Sequence, residues 1–123
     1  MSALTLILVL LIPFSHRTHS QTSCQTCHAG AGVRKGFPRP AVCGRCHGDK
    51  YAKPVKWTRV NELAEFVHFS HARHRKTSCQ VCHGPVETRD VLTAEVAFTM
   101  KFCRGCHLRE RARAECGTCH EAK

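Results

Sequence analysis

The chain has 123 residues, 19 Lys and Arg against nine Asp and Glu, a formal charge of +10, ten Cys and ten His. Its length argues for one domain. With one Trp, one Tyr and six Phe, and few apolar runs beyond Phe14, side chains alone do not supply the core such a domain needs, so an ordinary hydrophobic-cored fold is excluded.

Residues 1–13 are uncharged and mostly apolar. They resemble the hydrophobic part of an export signal without its positive leader, or a truncated membrane anchor. At ~1.5 Å per residue such a segment is too short to cross a ~30 Å hydrocarbon layer. The next stretch, FSHRTHSQTSCQTCH from Phe14 to His28, recurs 55 residues later as FSHARHRKTSCQVCH from Phe69 to His83. Between the copies, Pro38, Pro40 and Pro54 break regular structure. Asn61–Val67 is expected to form a short helix with Leu63, Phe66 and Val67 on one side. After the second copy, Arg109–Cys116 has helical propensity and a charged face. Short helices joined by irregular loops are expected, with little or no β-sheet.

Every cysteine belongs to a C-x-x-C pair followed at once by His. Site I is Cys24, Cys27 and His28; site II is Cys43, Cys46 and His47. Site III is Cys79, Cys82 and His83; site IV is Cys103, Cys106 and His107; site V is Cys116, Cys119 and His120. This motif reads as c-type haem attachment. Two thiols add to the vinyl groups on one porphyrin edge, two residues span that edge, and the next residue puts an imidazole under the iron. The competing readings fit less well. Zinc sites built from paired C-x-x-C use an even number of pairs and give no reason for the adjoining His. Disulfides do not need His beside them. Redox C-x-x-C sites usually come singly, in a strand–helix context absent here.

Five histidines remain: His16, His19, His68, His71 and His74. Five low-spin haems want five second axial ligands, and the count matches. In FSHxxH the two imidazoles share one face of a helical turn at different heights. They can therefore reach two haems, with Phe14 and Phe69 packed on the macrocycles. The alternative for each is a surface imidazole, and it weighs most at His68. Met100 is expected to be a packing residue.

The expected fold is a small, mainly α multihaem cytochrome with much irregular loop, in which five covalently bound haems c form the core. Residues 14–123 make one domain: a two-haem module at 14–48, a bridge at 49–68 and a three-haem module at 69–123. Ligation by two histidines closes both iron faces and favours outer-sphere electron transfer over catalysis. Ten propionates against five ferric cores bring the net charge to about +5 oxidised and near zero reduced, which removes the main support for a nucleic-acid role. Haem attachment takes place outside the cytoplasmic membrane, so a periplasmic or extracytoplasmic location is expected.

FSHxxH ahead of C-x-x-C-H resembles the class III multihaem cytochromes. Pro54 to His107 is similar to the pentahaem cytochrome subunit of alternative complex III and its relative in menaquinone reductase complexes. The similarity is carried by Pro54, Trp57, Arg59, Val60, Leu63, Phe66, Val67, Phe69, His71 and His74. It continues through Cys79, Cys82, His83, Gly84, Pro85, Met100, Cys103, Cys106 and His107. The resemblance implies a membrane-associated respiratory subunit that carries out no catalysis and relays electrons between a quinol-linked oxidoreductase and another redox carrier. Where that family has His after Arg-Val, this chain has Asn61, which removes an expected distal ligand; either His68 replaces it or one haem is five-coordinate. The alternative is a reductase of a small nitrogen or sulfur oxyanion at that five-coordinate haem.

Overall fold

A computed structural model describes residues 14–29, 37–51 and 54–121. The expected export signal or anchor at 1–13 lies outside them. Among the described residues five α-helices occur, each holding a C-x-x-C pair: α1 (Cys24–Cys27), α2 (Pro40–His47), α3 (Cys79–His83), α4 (Met100–Arg109) and α5 (Cys116–Cys119). Four 3-10 turns accompany them, at Arg17–His19, Gly48–Tyr51, His71–His74 and Val86–Thr88. Among the described residues no strand is present. The fold is thus helical with irregular loops.

The helices are short because little beyond the motif favours them. α1, α3 and α5 last a single turn, enough to put both cysteines on one face. α2 is extended by Pro40 at its first position, where the missing N–H costs nothing. α4 is the longest and has a side-chain cap, the Phe102 N–H donating to Thr99 Oγ1 at 3.1 Å. Met100 starts this helix and is 61% exposed.

Two expected helices do not form. Asn61–Val67 is irregular, with one bend of turn at its end. Its polar groups are engaged elsewhere: Phe66 O accepts from His120 Nδ1 at 2.9 Å, and the Asn61 amide lies 3.2 Å from His83 Nδ1. Tertiary partners override local propensity here. Beyond Arg109 the chain turns away, with Arg111 at φ +54° and the Ala112 N–H donating to His107 O at 2.7 Å.

Among the described residues no side chain is fully buried. Phe66, Phe69, Phe37 and Leu108 stand exposed. Burial of apolar surface is the main favourable term in folding, and the described residues do not supply it to one another. Among the described residues Gly84, directly after the site III imidazole, is the one buried position. It sits at φ +72°, ψ −172°, a region open essentially to glycine alone.

Candidate haem-binding site

The FSHxxH repeat folds the same way twice. Phe14 lies flat on His19, ring centres 4.6 Å apart at 22°, and edge-on to His16 at 4.9 Å and 87°. Phe69 lies on His74 at 4.5 Å and 24°, and edge-on to His71 at 4.9 Å and 89°. Each Phe therefore packs on the histidines of its own turn. The second imidazole of each turn donates from Nδ1 to the serine carbonyl four residues back, His19 to Ser15 O and His74 to Ser70 O, both at 2.8 Å.

Each turn presents its two imidazoles to two attachment sites. His16 faces His28 of site I, ring centres 6.5 Å apart and planes 3° from parallel. His71 faces His83 of site III at 6.3 Å and 7°. His19 faces His47 of site II at 6.0 Å and 72°, and His74 faces His107 of site IV at 6.0 Å and 41°. In both modules the first His thus meets the motif twelve residues on, and the second meets the motif after that.

The spacing tests whether haem iron fits. Two imidazoles on one metal, with bonds of ~2 Å and ring nitrogens ~1.1 Å from their centres, stand with centres ~6.2 Å apart. The four pairs, at 6.0 to 6.5 Å, fit that geometry. Bare aromatic pairs also reach this separation, so the nitrogen partners decide. His107 Nδ1 donates to Arg113 O, and His120 Nδ1 to Phe66 O. With His19 and His74, four imidazoles have Nδ1 committed to a carbonyl, the arrangement that fixes the tautomer and leaves Nε2 as the ligand atom. Partial burial, then the facing His28, hold His16 below the usual imidazole basicity; partial burial, then His71, do the same to His83. The neutral form favoured there is the one that binds metal.

Asn61 lies beside the proximal imidazole of site III. The Asn61 amide nitrogen is the atom that lies 3.2 Å from His83 Nδ1; were Nε2 to hold iron, Nδ1 would carry the proton, and the carboxamide, flipped about its terminal bond, would accept it through Oδ1. The sequence marked this position as a missing distal ligand and gave no signal of the role on His83.

Site V differs from the others. The repeat supplies four imidazoles for four sites, and His120 is not faced by any of them. Phe66 tilts against the His120 ring, centres 5.6 Å apart at 36°. His68 is close in the backbone, its N–H donating to Cys119 O at 2.8 Å. Its ring, however, sits with Nε2 3.4 Å from Glu121 Oε1, on the exposed side.

The ten cysteines are free thiols, none joined in a disulfide. Among the described residues no three His, Cys, Asp or Glu converge as a bare metal ion requires.

No family model matches the chain. It is similar to the multihaem cytochrome c subunit of menaquinone reductase from Nitratidesulfovibrio vulgaris strain Hildenborough, 27% identical over 89% of this chain and 76% of that protein. This likeness supports a relation to multihaem c-type cytochromes. Haem c is the cofactor that the relation implies, and the cysteines and facing imidazoles fit it.

Proposed function

We propose that this chain is a pentahaem c-type cytochrome that relays electrons between a quinol-linked membrane oxidoreductase and another redox carrier on the extracytoplasmic side of the membrane. It acts as an electron carrier without chemistry of its own. Haem c supplies a one-electron iron couple when bound. The single observation behind the reading is the set of four imidazole pairs at metal-bridging spacing.

The residues divide the work. Cys24, Cys27, Cys43, Cys46, Cys79, Cys82, Cys103, Cys106, Cys116 and Cys119 tether the cofactors. His28, His47, His83, His107 and His120 serve as proximal ligands; His16, His19, His71 and His74 close the opposite faces. Imidazole on both sides bars exogenous ligands and keeps potentials below those of Met-ligated haem. Carbonyl bonds at His19, His74 and His107 hold the rings against rotation. Exposed Phe66 and Phe69 supply apolar surface to cover the macrocycles.

The relative's printed name, a subunit of menaquinone reductase, supports a membrane oxidoreductase as the partner. Copurification of the haem-loaded chain with quinol-oxidising activity, and its reduction by a menaquinol analogue in that complex, test the assignment. A loaded chain that elutes alone and takes no electrons from the complex refutes it.

A second reading has its own support. His120 is not opposed by His68, whose ring is on Glu121. Site V then retains a coordination position for a small nitrogen or sulfur oxyanion. Nitrite or cyanide binding to one haem in five, with turnover, favours this reductase reading; a wholly low-spin spectrum indifferent to both excludes it.

A further inference from the structure

The five attachment sites follow one order in sequence. Their packing follows another, and the join between the two modules is where the orders part.

Within the first module, Arg45 of site II donates from Nη2 to Thr26 O of site I at 2.9 Å, so α2 docks on α1. His16 and His19, on one turn, face these same two sites. Within the second module, His71 and His74 couple sites III and IV in the same way. Site V hangs on the six-residue run after α4, where His107 receives the Ala112 N–H at its carbonyl and donates from Nδ1 to Arg113 O.

The modules meet through the turn that carries His16. Arg17 N–H donates to Arg89 O at 3.0 Å, and the Arg17 guanidinium donates twice to Thr88 O at 3.0 and 2.9 Å. It also pairs with Asp90 at 3.3 Å, while Ser15 Oγ donates to Asp90 at 2.6 Å. Thr88 to Asp90 is the run leaving His83, and Ser15 and Arg17 flank His16, which faces site I, so the clamp brings the site I side of the turn against site III.

The sulfurs repeat the pattern, the thiols standing in for thioether sulfurs. The Cys24 thiol lies within interaction range of Cys79, Cys82 of Cys106, and Cys103 of Cys119. The neighbours named are sites I and III, III and IV, and IV and V.

We propose that the sites lie in a line in the order II–I–III–IV–V, with the first module turned end for end. Sites II and V are the termini at which electrons are exchanged with partners, and site I is an interior link. This rests on the haem reading above. A consequence is that loss of site II trims one end of the relay, whereas loss of site I divides it.

Proton NMR of the fully reduced, haem-loaded wild-type chain tests the order without any variant that must refold. Thioether protons are assigned through their own cysteines and then read for cross-site nuclear Overhauser contacts. The order predicts contacts between the Cys24 and Cys79 substituents, and between site III and site IV, with none from site II to sites III, IV or V. A pigmented protein with contacts from site II to site III, or lacking the Cys24–Cys79 contact, overturns the order alone. A protein without thioether-linked haem overturns the order together with the functional reading, and the pyridine haemochrome spectrum of the same sample tells these failures apart.

Discussion

His71 and His83 face one another across 6.3 Å with planes 7° from parallel, and His16 and His28 do the same across 6.5 Å at 3°. A duplicated string of residues has become a duplicated geometry. On the proposed ligation each distal imidazole serves a haem of its own, so its removal is expected to act on one centre at a time. His71→Met keeps a ligand but exchanges imidazole for thioether, so one of five reduction waves moves to higher potential and the other four stay within experimental scatter. Spectropotentiometry on the purified variant checks this; five unmoved waves would remove His71 from the ligand set.

His68 provides the contrast. Its ring is turned to Glu121, so His68→Ala is expected to leave the ferric spectrum as it was. His74→Ala, by comparison, converts one haem in five to a high-spin form. Electron paramagnetic resonance distinguishes the two outcomes, and a new high-spin signal in His68→Ala would make His68 the fifth distal ligand after all.

Asn61 is expected to act through His83, beside whose Nδ1 its amide lies. A carbonyl accepting from Nδ1–H makes the imidazole more electron-rich and favours ferric iron. Asn61→Leu deletes the acceptor and is expected to raise one potential; Asn61→Asp supplies a stronger acceptor and is expected to lower the same one. Redox titration of the pair checks the sign, and matching shifts in both variants would indicate a merely steric role.

Gly84 is constrained by its backbone. At φ +72° and ψ −172° an alanine is strained, and its Cβ would meet the Glu95 carboxylate, itself held by Arg89 at 2.6 Å. Gly84→Ala is expected to cost about 1–3 kcal/mol, read as a lower melting temperature of the loaded protein. Gly48, at φ +63°, also follows a motif histidine, but nothing lies near its missing Cβ. Its alanine variant is expected to bear the backbone cost alone.

The helical turns that carry the C-x-x-C pairs were legible in the sequence because they are local: Cys103 and Cys106 need only one turn between them, and His107 follows in register. The 3-10 turns of the repeat were legible for the same reason. The partners were not. That His16 belongs to His28 and His19 to His47 depends on the path of the chain between them, which no local periodicity encodes. Asn61–Val67 read as a helix because Leu63, Phe66 and Val67 have helical spacing, yet the carbonyl of Phe66 serves His120 and the amide of Asn61 serves His83. Ligand-holding bonds of this kind outweigh propensity terms of a few tenths of a kcal/mol per residue. The absence of a core among the described residues was foreshadowed by the scarcity of apolar runs, and the proposed haems would take the place of side chains.

The central claim is that covalently held iron porphyrin is the interior of this protein, and quantitative pyridine haemochrome analysis of the matured chain after acid–acetone extraction tests it most directly. The account predicts five thioether-linked haems per polypeptide, all retained in the protein pellet. Pigment that passes into the acetone, or a colourless chain from a host equipped to attach haem, would contradict it.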